Sequence, residues 1–126
     1  MSANPTSTPQ GHERTAYFIS DGTGITSETV AMSLLSQFDD LKTRNARLPF
    51  IDSEANEAVA RINLAAQNDG RRPLVFSTLA IPSISGIVQT ANACYLDLIG
   101  TFVSSLETEL GREASRGVGQ FHRIKS

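Results

Sequence analysis

Soft metal ligands are scarce in this sequence of 126 residues: one cysteine, Cys94, and two histidines, His12 and His122. A lone cysteine excludes a disulfide scaffold, and the three residues together fall short of a Cys-ligated zinc site. Long apolar runs are missing too, since none approaches the ~20 residues that span a bilayer. Lysine occurs only at Lys42 and Lys125, and neither follows a glycine. A Gly-x-x-x-x-Gly-Lys-Ser/Thr loop is therefore absent from the sequence. No strong excess of one charge is present either. The net charge of −2 argues against a general nucleic-acid binder. Met1 to Gln10 reads MSANPTSTPQ, with no basic start and no apolar stretch, so no signal peptide is expected there. With one unpaired cysteine, the expected compartment is the cytoplasm.

What remains is ordinary globular material, 40% hydrophobic and 19% charged. The length suits one domain. Residues 1–15 are rich in Pro, Ser, Thr and Asn and are expected to be a disordered tail. Residues 16–111 carry the patterned body. Residues 112–126 form a basic C-terminal segment, with Arg112, Arg116, Arg123 and Lys125 against Glu113. That segment is either a solvated end or a surface for a phosphate or an acidic partner.

The body alternates apolar runs with helical stripes. Ala16 to Ile19 is continuous, as in a strand buried on both faces. A second strand is expected over Ala46 to Ile51, with Pro49 marking an edge or an end. A third is expected over Pro73 to Thr78, and a shorter fourth over Cys94 to Leu98. Between them lie four stripes of helical period. The first is Ala31, Leu34, Leu35 and Phe38. The second is Ala55, Ala58, Val59, Ile62 and Ala66, with Ser53 as its expected cap. The third is Ile84, Ile87, Val88 and Ala91, and the fourth is Ile99, Phe102, Val103, Leu106 and Leu110. Gly70 and Gly111 read as helix stops. The pattern β-α-β-α-β-α-β-α implies an α/β fold, an open parallel sheet of about four strands with helices on its faces. Cys94, in an apolar run, reads as a core residue.

In such sheets ligands gather at the carboxyl ends of the strands. The polar residues there are Ser20 and Asp21, then Asp52, then Ser77 and Thr78. The most informative segment is Phe18 to Thr26, a strand, a glycine turn and a helix start. Gly22 and Gly24 allow left-handed backbone and leave amides exposed, and a helix N-terminus favours an anion. Ser20, Asp21, Gly22, Thr23, Gly24 and Thr26 are thus candidate phosphate-binding residues. Asp52, Ser77 and Thr78 complete a candidate crevice. The plainer alternative is a tight connection with Thr23 or Thr26 as a helix cap and Asp21 bracing its own turn. A dinucleotide fingerprint fits less well, because Ser27 stands where Gly-x-Gly-x-x-Gly has its third glycine. Asp21 also fits orientation of a magnesium ion or a hydroxyl, but no metal site is predicted. Ile19 stands where an aspartyl-phosphate motif would place its nucleophile, and neither histidine has a visible partner for a hydrolytic triad.

Tyr17 to Phe38 reads YFISDGTGITSETVAMSLLSQF. It resembles the opening of the bacterial phosphoenolpyruvate synthase regulatory proteins and the related pyruvate, phosphate dikinase regulatory proteins. Leu48 to Asp52, Ala58 to Asn63 (AVARIN), Arg72 to Leu79, Leu96-Asp97 and Leu106 to Leu110 extend the resemblance from Ala16 to Leu110. Two departures are Met32, where the family commonly has histidine, and Ser83 and Ser85, where it usually has charge. The resemblance implies a bifunctional regulator. Such proteins use ADP to phosphorylate a threonine of the target enzyme, and inorganic phosphate to remove that group as pyrophosphate. It implies phosphoenolpyruvate synthase, or the dikinase, as partner. Asp69 to Pro73 favours the synthase branch. The family's lysine-bearing nucleotide loop belongs to a second half, so the ADP site is not expected in this chain, which reads as truncated. Two further readings stand beside this one. The chain is an inert docking module for the target or for a full-length copy, or it is an unrelated small nucleotide-binding domain. Homo-oligomerisation is left open, and no membrane or nucleic-acid partner is expected.

Overall fold

The computed structural model describes residues 14–115. Four parallel strands form one sheet in the order β2-β1-β3-β4. The strands are β1 (Arg14–Ile19), β2 (Thr43–Leu48), β3 (Leu74–Ser77) and β4 (Cys94–Asp97), and α1 (Ile25–Leu35), α2 (Ala55–Asp69), α3 (Pro82–Val88) and α4 (Gly100–Leu110) follow them in turn. The expected fold class is the observed one.

Side chains alternate across β1 and build two cores. Tyr17 and Ile19 join Val75, Leu79 and the α2 and α3 residues Ala58, Ile62 and Val88. Ala16 and Phe18 join Phe76 and Ala31 of α1 on the other face. The central strands are the continuous apolar runs, because each is covered on both sides.

Several expectations shift. β1 begins at Arg14, two residues into the expected tail, because Arg14 and Thr15 pair with Thr43 and Arg44. Asp69 anchors that end, accepting from Thr15 Oγ1 at 2.8 Å and pairing with Arg44. β2 lies three residues earlier than expected. It is an edge strand with polar Arg44, Asn45 and Arg47, so apolar content placed it poorly. Pro49, without an amide hydrogen, follows its last residue. Ser53 is not the α2 cap; Glu54 occupies that position and no side chain caps the helix.

The buried face of α1 is Ser27 and Ala31, with Leu35 partly buried, rather than the predicted stripe. Ser27 Oγ donates to Phe76 O at 2.6 Å, and the small residues bring the helix close to the sheet. Leu34 and Phe38 are left exposed, and Phe38 lies beyond the helix. Gly70 and Gly111 close α2 and α4 in the left-handed conformation, as expected. Helix α4 buries none of its residues. Cys94 is half-buried on edge strand β4 rather than in the core. The expected tail over residues 1–13, and residues 116–126 of the basic segment, lie outside the described residues.

Candidate functional site

The sheet order turns at β1. The chain leaves β1 for β2 on one side, and later leaves β3 for β4 on the other. Outside the carboxyl ends of β1 and β3 the two outgoing loops part and leave a crevice, the usual ligand position in such sheets. The loop after β1 carries Ser20 to Gly24, and the loop after β3 carries Thr78 to Ile81.

These loops are tied across the divide. Thr78 N donates to Ile19 O at 3.0 Å, and Ala80 N donates to Asp21 Oδ2 at 3.0 Å. Asp21 therefore braces the neighbouring loop rather than its own turn. The loop after β2 is tied in as well, with Phe50 N to Gly22 O at 2.8 Å and Ile51 N to Ser20 O at 2.9 Å. Phe50 holds φ 55, the one non-glycine residue among those described with positive φ. A bulky residue in that region marks a backbone held by its surroundings.

The hydroxyls divide into used and unused. Ser20 Oγ is buried and accepts from Gly22 N at 2.9 Å. Ser77 Oγ accepts from Leu79 N at 3.1 Å and from the Tyr95 hydroxyl at 2.8 Å. Thr23 Oγ1 takes Ile25 N at 3.3 Å, a long bond. Thr26 is exposed on the first turn of α1. Two buried side-chain atoms have no hydrogen-bond partner among the described residues, Asp21 Oδ1 and Thr78 Oγ1. Buried polar atoms are nearly always paired, so these two call for a reason.

Gly24 is the α1 N-cap at φ 89 and brings no side-chain cap bond, so the long bond from Ile25 N to Thr23 Oγ1 is the side-chain tie at this helix start among the described residues. The amides of Thr26 and Ser27 have no partner within the helix by its geometry. A Cβ on Gly24 would lie 3.4 Å from Arg47 Cδ and 3.6 Å from Phe18 O. Arg47 thus lies along the glycine turn, and its Nε pairs with Glu28 Oε1 at 2.7 Å. The sequence gives Arg47 and Phe50 no role of their own, although Phe50 lies within the Leu48 to Asp52 segment; the register of β2 brings them here.

Beside Asp21 is a cavity of about 130 Å³ lined by Phe50, Ile51, Asp52, Leu79, Ile81 and Ile84. Of the predicted crevice residues, Asp52 is therefore at the cavity wall, whereas Ser77 is bound into a buried network. That network runs from Ser85 Oγ to the Tyr95 hydroxyl at 2.6 Å and on to Ser77. Burial pushes the Tyr95 phenol above its ordinary value, the bonds to Ser77 and Ser85 oppose that, and the Asp97 charge adds to the rise. Among the described residues no group of three or more His, Cys, Asp or Glu is placed to hold a metal, and no helix is long and apolar enough to cross a membrane.

The sequence profile of the kinase/pyrophosphorylase family matches residues 16–126. The chain is 50% identical over 119 residues to a protein of Bordetella pertussis, covering 93% of this chain and 42% of that one. It is 50% identical over 113 residues to one of Azoarcus sp. (strain BH72), covering 88% and 41%. It is 47% identical over 115 residues to one of Alcanivorax borkumensis, covering 90% and 42%. Each bears the name "Putative phosphoenolpyruvate synthase regulatory protein". The chain spans about two fifths of the length of these relatives. By this match, over the whole of its patterned body, the chain belongs to the kinase/pyrophosphorylase family.

Proposed function

We propose that this chain is the N-terminal part of a bifunctional regulator of phosphoenolpyruvate synthase, and that its crevice handles the phosphoryl acceptor. The observation that carries the reading is a pair of buried atoms without a partner among the described residues, Asp21 Oδ1 and Thr78 Oγ1, at the ends of the two strands that flank the crevice. Their cost is explained if a ligand completes them.

In the forward direction the target's threonine oxygen attacks the β-phosphorus of ADP. An O–P bond forms, the bond to AMP breaks, and Asp21 takes the hydroxyl proton as general base. In the reverse direction an oxygen of inorganic phosphate attacks the phosphothreonine, pyrophosphate leaves, and the proton returns to the threonine oxygen. The turn Gly22-Thr23-Gly24, with Thr26 and the α1 N-terminus, holds the phosphate. Arg47 offsets its charge once drawn from Glu28. Nucleotide binding belongs to the part of the relatives that this chain does not span, because no Gly-Lys-Ser/Thr loop occurs in its 126 residues.

The test is substitution of the aspartate aligned with Asp21 by alanine in a full-length relative. Loss of the phosphate-dependent reaction with the fold retained is the expected result. Undiminished activity would sink the role. A second reading, docking without phosphoryl transfer, is favoured by α4. Its Phe102, Leu106 and Leu110 are exposed and its 11 residues bury none. So short a helix is marginal without a packing partner. In this reading the partner is a full-length copy of the regulator. Co-elution with one, abolished by Leu106→Asp, would support it, and independent elution would exclude it.

A further inference from the structure

The sheet is well covered at β1 and β3 and poorly covered at β4. Phe18, Phe76 and Leu96 are register partners on β1, β3 and β4, so they share one face of the sheet. Phe18 and Phe76 pack with Ala31 of α1 and are 1% and 2% exposed, whereas Leu96 is 37% exposed. The outer edge of β4 pairs with no strand among the described residues. Helix α4 follows that edge and carries Phe102, Leu106 and Leu110 at a spacing of four, 65%, 54% and 63% exposed. A row at that spacing lies on one side of a helix. Scattered exposed apolar residues are ordinary, but a full stripe on a helix that buries none of its residues marks a contact face.

The face is shaped as well as apolar. Gly111 turns the chain at φ 64, and Ala114 N donates to Glu107 Oε2 at 2.9 Å. The chain is thereby folded back towards α4. Val103, Leu106, Leu110 and Ala114 line a groove of about 270 Å³, rimmed by Arg112 and Glu113. The described residues end at Ser115, one position past the groove wall.

Size decides between a free and a tethered occupant. The side of an 11-residue helix is about 16 Å long and about 10 Å wide, far short of the ~800 Å² that each partner of a stable free complex buries. A second copy gains too little here. A segment joined through a short connection acts at an effective concentration near millimolar, and a small apolar face then suffices. The relatives have chain to supply it, since the match covers only 42% of the Bordetella pertussis protein.

We propose that α4, with the open flank of β4, is the docking face for an apolar segment of the polypeptide that follows in the full-length relatives. The occupant is thus part of the same polypeptide, not the separate copy of the docking reading above. The proposal rests on the placement of this chain at the N-terminal end of the relatives, and it is independent of the phosphate reading.

Amide hydrogen exchange read by mass spectrometry tests it. The 126-residue chain is compared with the full-length Bordetella pertussis relative, each at about 2 µM and about 100 µM. Peptides from β3 report global opening in each protein, and the α4 rates are read relative to them. The α4 peptides should exchange at least about tenfold more slowly in the relative, at both concentrations. Leu106→Ser should change α4 exchange less than about twofold in this chain, while the same change at the aligned residue of the relative should erase most of its protection. Equal α4 rates in the two proteins, or a relative indifferent to the serine, overturns the proposal. Protection that grows with concentration makes a second copy the occupant and overturns it as well. The relative's peptide map locates its own α4, so a wrong N-terminal placement is told apart from a missing contact. No phosphate is present, so neither outcome bears on the phosphate reading.

Discussion

Asp21 makes opposite predictions for a structural brace and a functional acid. Its Oδ2 accepts Ala80 N at 3.0 Å, while its Oδ1 is buried without a partner among the described residues. Replacing it with alanine removes one hydrogen bond to a charged acceptor, about 1.5–3 kcal/mol, and strands the Ala80 amide. It also removes a buried, unpartnered carboxylate oxygen, whose desolvation costs about 1–3 kcal/mol or more. The two effects offset each other, so Asp21→Ala should change unfolding free energy by no more than about 1 kcal/mol. Asp21→Asn keeps the acceptor for Ala80 N and discharges the group. It should stabilise by about 1 kcal/mol, roughly 4 °C in Tm at this chain length. Urea and thermal melts of the three proteins give the numbers directly. The same substitutions should abolish phosphate-dependent turnover in a full-length relative. Gain of stability with loss of activity is the mark of a site that carries strain for function. If both variants lose more than about 3 kcal/mol, Asp21 is a brace and the reasoning about its free oxygen is wrong.

Other positions give shorter tests. Tyr95 has its phenol pKa raised by burial, so its neutral form is favoured by folding. That contribution is complete below about pH 10 and is lost as pH rises through the folded value; Tyr95→Phe should cost about 1–3 kcal/mol at pH 7 and flatten the alkaline limb of a pH-stability curve. A Cβ at Gly100 would press on the Asp97 carboxylate, whose Cγ lies 2.9 Å away, and Asp97 Oδ1 holds the Ile99 and Gly100 amides at 3.1 and 2.7 Å. Gly100→Ala should therefore release this cap, cost about 1 kcal/mol and speed amide exchange in α4. Gly24→Ala forces a side chain to φ 89 beside Arg47, and should cost about 1–2 kcal/mol by chemical denaturation. Leu106→Ser on the exposed face of α4 should stay within about 0.5 kcal/mol of the parent.

The sequence was most legible where residues are covered on both sides. β1, β3 and the α2 stripe are plain in the text because Phe18, Val75 and Ile62 must be apolar to be there. It was least legible at the edge. β2 offers Arg44, Asn45 and Arg47 to solvent, so its strand nature comes from pairing with β1 and not from composition. Helix α1 misled by its large residues. Leu34 and Phe38 suggested a face that in fact looks outward, while Ser27 and Ala31 do the packing. The glycine turn was visible as a motif, and its place at the carboxyl end of a strand followed from the alternation of elements, whereas the strand order that sets it beside the loop after β3 came from the fold. Asp52 already pointed to the third loop, but the tie from Phe50 to Gly22 is visible only in the fold.

Those three loops explain why small and polar residues dominate the site. Ser27 Oγ to Phe76 O pins the first turn of α1 onto β3. Asp21 to Ala80 crosses the gap between the loops after β1 and β3, and Phe50 to Gly22 joins the loop after β2. The ties hold the backbone close, and a larger residue at Gly24 or Ser27 would oppose that approach. Where a dinucleotide fold uses a third glycine for helix–strand packing, this chain uses a serine that also donates a hydrogen bond. The serine makes the helix N-terminus a fixed point rather than a hinge. A crevice fixed from three directions is preorganised, so a ligand in the proposed role would meet loops that are already ordered. It follows that substitution of Ser27 by alanine should loosen the α1 N-terminus and weaken the proposed phosphate binding, although the Ser27 hydroxyl itself is taken up by Phe76 O. Unchanged affinity in that variant would show that the helix is held by Ala31 and Leu35 alone.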